Sequence, residues 1–322
     1  MAGVDSVGAG VRVGVVGAGR TRQGLGPFLA RWFEAAGAEV VGVSGRSVPR
    51  ARAAANLLAA ALGHPVAVHQ DARSLAAVVD LLVVACPVEG HIAGLDAALE
   101  AGVACLCEKP LTSWRELDRC VELVQAFRAR GLLLAENCQW PYALDALDQL
   151  FPGARGRPIR SVSMRLSPAW PGPLMVEDSL SHLLSVLQAL VPLPRDARVR
   201  DVSQSDPGDA ARENVVGFSV CGDRADVRAE LHLRCCAEQP RPAWVQVEDA
   251  RLDREIGEDY AIAFRAQDGR VCNVRDPLAQ LVYGVIGDLQ ANRRERSDDI
   301  ADAIELRAKL YGSVLRGLQD RG

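Results

Sequence analysis

Six short apolar runs, spaced by longer stretches of helical periodicity, fill the first 138 residues, and this alternation narrows the possible folds more than any other feature. The runs are Val11–Val16, Glu39–Val43, Pro65–Val68, Leu81–Ala85, Val103–Cys107 and Leu132–Ala135. They are continuous and rich in valine and leucine, the composition of strands covered on both faces. Helical spacing occupies Pro27–Ala36, Pro49–Ala61, a short Ser74–Val79, His91–Ala101 and Ser113–Arg130. Ser113 with Glu116 three residues on is a capping-box start, and Gly131 is a C-terminal stop. Strand-helix alternation of this kind predicts an α/β domain built on a doubly wound parallel sheet with right-handed crossovers.

After about residue 138 the rhythm changes to strands with fewer helices, at Ile159–Leu166, Asn214–Cys221, Ala225–Cys235, Ala243–Glu248 and Tyr260–Ala266. Several of these alternate polar and apolar residues, as in a mostly antiparallel open sheet with one face on helices. Helical patterns run over Glu177–Leu190 and Asp276–Leu318, the second broken near Arg293–Ser297. The expected division is an N-terminal domain over 1–138 and an α+β domain over 139–322. The length of 322 residues suits two domains, and 49% apolar with 24% charged residues suits a globular chain. A net charge of -4 without basic clusters argues against a nucleic-acid partner.

Nine cysteines at irregular spacing, with no Cys-x-x-Cys, predict free thiols in a reducing cytoplasm rather than a disulfide framework, and no metal site. The longest apolar run, Leu75–Val88, is broken by Asp80 and Pro87, and no basic stretch with an apolar core opens the chain. Neither export nor a membrane helix is expected.

Gly17-Ala18-Gly19 follows the first strand directly, where a tight turn brings backbone N–H groups toward a pyrophosphate at a helix start. The loop departs from G-x-G-x-x-G: Arg20 and Thr21 lead to Arg22, and the next glycines are Gly24 and Gly26. A loop longer by two or more residues, with Pro27 opening the helix, is expected. At the end of the second strand, where a carboxylate would hold the ribose hydroxyls of NAD, the chain has Ser44-Gly45-Arg46-Ser47. A guanidinium and two hydroxyls favour a 2′-phosphate, hence NADP(H) over NAD(H).

Three further segments share a spacing: Asp80-Leu-Leu-Val-Val-Ala-Cys-Pro-Val-Glu-Gly-His91, Ala98-Leu-Glu-Ala-Gly102 and Cys107-Glu-Lys-Pro-Leu111. Together with Glu136-Asn137, Asp178 with His182, and Asp298–Gly317, they resemble the Gfo/Idh/MocA family of oxidoreductases over nearly the whole chain. The resemblance implies a Rossmann domain followed by a substrate-binding and oligomerisation domain. It further implies that Lys109 of Glu108-Lys109-Pro110 meets the reacting oxygen, while Asp178 and His182 contact the substrate and supply acid/base chemistry. Four residues apart on a helix, Asp178 and His182 share one face. Cofactor contacts are expected from Gly17, Gly19, Arg20, Thr21, Ser44, Arg46, Ser47, Cys86, Pro87, Glu108, Lys109 and Asn137. His91 either joins them through the Pro87 loop or caps the helix it starts. Cys86 stands where the family commonly has Thr or Ser. Pro171–Glu177 replaces a glycine cluster, so Leu174 and Met175 are expected to narrow the pocket, with Asn137, Gln139, Trp140 and Tyr142 as further wall residues.

The resemblance implies hydride transfer at the carbonyl/hydroxyl carbon of a sugar-like or other small polar metabolite by a homodimer or homotetramer. The alternatives are an imine or other unsaturated-bond reductase of the same family, and a nucleotide-sensing regulatory protein without turnover.

Overall fold

The computed structural model describes residues 10–19, 24–172, 174–205, 212–221, 226–257, 260–291 and 294–320. It divides into two compact units. Met1–Asn137 groups with Leu278–Glu305, and Cys138–Pro277 groups with Leu306–Gly322.

The first unit contains six parallel strands: β1 (Arg12–Val16), β2 (Glu39–Ser44), β3 (Ala67–Val68), β4 (Leu81–Val84), β5 (Ala104–Cys107) and β6 (Leu134–Glu136). Their order is β3-β2-β1-β4-β5-β6, with chain direction outward from β1 on one side and from β4 on the other. This is the doubly wound order whose ligand crevice opens where the strand order reverses. All four residues of β4 and of β5 are buried, which explains why both read as unbroken apolar runs. Crossover helices are α1 (Gly26–Ala35), α2 (Val48–Leu62), α3 (Ala72–Ala76), α4 (His91–Ala101) and α5 (Leu117–Ala129). Gly63 and Gly102 end α2 and α4 in the left-handed conformation, at φ 83° and 72°. Helix α8 (Pro277–Ala291) belongs here too: the Tyr283 hydroxyl donates to the Ala35 carbonyl at 2.9 Å. Arg128 of α5 pairs with Asp298 at 3.7 Å and also with Asp302, in the first turns of α9 (Arg294–Gln319). Sequence grouping had assigned Leu278–Glu305 to the second half; the interactions of Tyr283, Asp298 and Asp302 attach it to α1 and α5 instead.

The second unit holds α6 (Leu144–Leu150), α7 (Leu174–Leu190) and an eight-stranded sheet. The strands are β7 (Ser161–Leu166), β8 (Arg198–Ser205), β9 (Glu213–Cys221), β10 (Asp226–Arg234), β11 (Trp244–Val247), β12 (Ala250–Ile256), β13 (Ile262–Ala266) and β14 (Val271–Val274). Their order is β14-β13-β12-β11-β7-β10-β9-β8. Every pairing is antiparallel except β7 with β10, which run parallel at the centre. Alternation along β10 buries Val227, Ala229, Leu231 and Leu233 on the face covered by helix α7. The sequence reading missed β8, β12 and β14. β8 is an edge strand with one buried residue, Val202, and β12 reads as charged because Arg251, Asp253 and Glu255 lie on the open face.

Candidate active site

Four backbone hydrogen bonds tie the carboxyl ends of the parallel strands together. Gly17 donates to Ser44 at 2.9 Å, Ala85 to Val16 at 2.8 Å, Glu108 to Val84 at 2.8 Å and Asn137 to Cys107 at 2.8 Å. Every first-unit site residue that the structure describes lies on this edge.

Gly17 turns at φ 87°, and a Cβ there would stand 2.6 Å from the Cys86 backbone nitrogen. Gly26 opens α1, one residue earlier than expected, and a Cβ on it would meet the Gly17 carbonyl oxygen at 2.7 Å. The third glycine of the fingerprint is therefore Gly26, displaced along a longer loop but retaining the close packing of helix on turn. Arg20 and Thr21 lie outside the described residues. Ser44 is buried, and its hydroxyl has no hydrogen-bond partner among the described residues. Arg46 and Ser47 are exposed, and Ser47 caps α2 by position without a side-chain hydrogen bond. These residues fit a bound dinucleotide: a turn in which Gly17 and Gly26 leave no Cβ at the close approaches, an orphaned buried hydroxyl, and a cation where a carboxylate would select NAD.

Glu108 and Lys109 are half-buried immediately after β5. Asn137 Nδ2 donates to Glu108 Oε1 at 2.5 Å, and the Leu111 backbone N–H donates to Glu136 Oε1 at 3.2 Å. The Glu-Lys-Pro turn is thus held by two side chains from the end of β6, one on each side of Lys109. His91 is 1% exposed, with Nδ1 3.0 Å from the Pro110 carbonyl oxygen and Nε2 2.8 Å from that of Cys86. Both ring nitrogens face backbone carbonyls, so the side chain braces the Cys86–Pro87 loop against the Lys109–Pro110 turn rather than capping α4. Burial lowers its pKa, opposed by the two carbonyls, which favour the protonated ring. Burial also pushes the Cys86 thiol up to about 11, which keeps it protonated at neutral pH.

In the second unit α7 carries Asp178 and His182 one turn apart, the former exposed and the latter half-buried. Cys138 Sγ lies 3.9 Å from the Ser181 carbonyl, and the 3-10 turn Trp140–Ala143 packs on the same helix. Of the expected wall residues, Gln139 and Tyr142 are half-buried, Trp140 is buried and Leu174 is 65% exposed. Met175 is buried in the core beneath α7. Among the described residues no cluster of three or more His, Cys, Asp or Glu is placed to hold a metal ion.

A family model described as "Oxidoreductase family, NAD-binding Rossmann fold" (Gfo/Idh/MocA) matches residues 11–138. The chain is 39% identical over 155 residues to inositol 2-dehydrogenase 1 of Saccharopolyspora erythraea, a stretch covering 46% of this chain and 44% of the relative. The aligned stretch is therefore under half the relative's length. Among solved structures, the 3-ketoreductase KijD10 from Actinomadura kijaniata, in complex with TDP-benzene and NADP, superposes with TM-score 0.68 at 20% identity, covering 95% of this chain and 97% of that one. An inositol dehydrogenase homolog from Azotobacter vinelandii, complexed with NADH and myo-inositol, superposes with TM-score 0.67 at 19% identity, covering 98% and 97%. These structural likenesses establish the two-part fold. The family model relates residues 11–138 to the NAD-binding Rossmann domain of the Gfo/Idh/MocA oxidoreductases.

Proposed function

We propose that the protein is an NADP(H)-dependent oxidoreductase acting on the carbonyl/hydroxyl carbon of a sugar-like or other small polar metabolite. The observation that carries the cofactor reading is the end of β2: a buried, unpartnered Ser44 hydroxyl and an exposed Arg46, with no acidic residue from Ser44 to Arg50. Bound there, the nicotinamide cofactor would supply or accept the hydride.

The chain's own residues do the rest. Lys109, held by the turn that Glu108, Glu136 and His91 brace, offers a cation to the oxygen on which negative charge grows as a carbonyl is reduced. His182, on the second unit, is the proton donor in reduction and the acceptor in the oxidative direction. Asp178, one helical turn earlier, hydrogen-bonds a second hydroxyl or orients the imidazole. Among the described residues no helix is long and apolar enough to cross a membrane. The nine free cysteines agree with a reducing, cytoplasmic setting.

The test is a titration with NADPH and NADH, then cofactor turnover against sugars, ketones and imines. Tighter binding of NADH by the unmodified protein would overturn the cofactor assignment. Binding without turnover across the whole panel would favour a nucleotide sensor.

A further inference from the structure

Two arginines of the second unit carry charges that no carboxylate among the described residues meets. Arg254 lies on β12, in register with the inward-facing Ala250 and Leu252. Its guanidinium sits 5.4 Å from the centre of the Trp140 ring, and its Nη2 donates to the Arg241 carbonyl at 3.0 Å. The remaining nitrogens are less well served. Nε of Arg254, and Nε and Nη2 of Arg241, are buried without a hydrogen-bond partner. The charged group that bears on Arg254 is Arg241, another cation, and burial together with that repulsion pushes its pKa down to about 10.

The contrast lies on the opposite face of the same sheet. There Arg251 pairs with Asp253 at 2.7 Å, Arg265 with Glu255 at 2.5 Å and Arg228 with Glu230 at 2.8 Å. A buried guanidinium without a partner is destabilising, and a second one beside it adds repulsion, so the pair gives the fold nothing by itself. Guanidinium forks match the oxygens of phosphate and carboxylate groups, which would satisfy the orphaned donors and cancel the repulsion. Both residues keep part of their surface at solvent, which leaves a way in. Trp140, 5% exposed and set edge-on against Phe264 at 6.3 Å, is a fixed wall. Its turn packs on α7, the helix of Asp178 and His182.

We propose that Arg241 and Arg254, walled by Trp140, form a subsite for an oxyanion group of the substrate, a phosphate or a carboxylate. The word substrate rests on the oxidoreductase reading above; anion binding does not. Inorganic phosphate and malonate are titrated calorimetrically into the full-length protein at matched ionic strength, and melting is followed in parallel. The subsite predicts that at least one oxyanion binds and raises Tm above a chloride control. Arg241→Met and Arg254→Met should each weaken that binding about tenfold or more, whereas Arg254→Lys keeps part of it. Without oxyanion, Arg254→Met should melt no lower than the unmodified protein, because it removes an uncompensated buried charge.

Preference for phosphate points to a phosphate ester, and preference for malonate to a carboxylate. Indifference of the unmodified protein to both anions, or equal binding by the unmodified protein and folded variants, overturns the proposal. Should the methionine variants not fold, the unmodified protein and Arg254→Lys decide it by the same comparison. In turnover, the variants should raise KM for anionic substrates more than for neutral ones. Arginine-dependent anion binding without turnover on any substrate would sink the oxidoreductase reading and leave the subsite standing.

Discussion

Arg46 stands exposed two residues beyond a buried serine hydroxyl, so the cofactor contact proposed for it is separable from the fold. Arg46→Ala should weaken NADPH binding by about 1.5 to 3 kcal/mol, the scale of a hydrogen bond to a charged group, and leave NADH nearly unchanged. Calorimetric titration of both cofactors checks this, and equal losses would show that Arg46 does not read the 2′-phosphate. His91 offers a test through pH. A neutral imidazole has one N–H for two carbonyls, so the charged ring would serve both, yet burial is the larger influence and holds the pKa below the ordinary 6.5. With the folded pKa depressed, the stability tied to the neutral ring is complete above pH 6.5 and declines as pH falls below it. His91→Asn should cost about 1 to 3 kcal/mol at neutral pH by leaving a buried carbonyl unsatisfied. It should also remove His91's share of the fall in Tm between about pH 6.5 and 5, where histidines ordinarily titrate. An unchanged pH profile in a folded variant would show that His91 takes up its proton equally in the folded and unfolded chain.

At the scale of elements, the glycine turn and α1 form one packed unit. Gly26→Ala places a Cβ 2.7 Å from the Gly17 carbonyl oxygen and 2.9 Å from the Ala18 Cα, so backbone must move. Weaker binding of either dinucleotide and a lower Tm are expected, with a stability loss of about 1 to 3 kcal/mol, the range for overpacking. Dinucleotide affinity equal to that of the unmodified protein would show that the turn tolerates displacement of α1. The strands β1, β2, β4, β5 and β6 were legible because burial on both faces leaves continuous apolar runs, whereas β3 is a short edge strand with neither residue fully buried. β12 was not, since three of its seven residues are charged toward the open face. Gly26 was visible as a residue but not as the third glycine, because the fingerprint's spacing is stretched here. His91 was visible as a candidate, but its bond to Pro110 joins residues 19 apart and no periodicity reports it. Arg241 and Arg254 read as two more charges on a polar strand and its approach; only register shows that Arg254 turns inward. Helix α7 and the turn after β5 carry the proposed chemistry. Lys109→Ala should lower turnover about 10²-fold or more, as for one electrostatic stabiliser. His182→Ala should lower it by about 10² to 10⁴, as for a general acid or base. In both, cofactor affinity should change by less than about 1.4 kcal/mol. Wild-type turnover in the double variant would show that the reacting groups lie elsewhere.

At the scale of the molecule, the second unit's sheet has one face covered by α6 and α7 and another that is only partly shielded. Along β10 that second face presents Arg228, Glu230 and His232, with Arg165 on β7, Trp244 and Gln246 on β11, and Arg251 and Asp253 on β12. Trp244 is its centre, with His232 at 5.2 Å and the Arg251 guanidinium at 4.4 Å from its ring. An eight-stranded surface with an aromatic centre and mixed charge can be self-complementary about a two-fold axis, since each arginine row can meet its partner's carboxylates. Self-association through it, as a homodimer or homotetramer, is the expected state. Because the face is charged rather than apolar, the association should weaken with added salt, unlike one driven by hydrophobic burial. Trp244→Ala should loosen it further by emptying the centre of the interface, where anchoring aromatics contribute most. Sedimentation velocity at micromolar concentration and two salt levels measures both effects. A species of monomer mass alone at low salt would contradict the assembly, and a salt-insensitive oligomer unaffected by Trp244→Ala would place its interface on another surface.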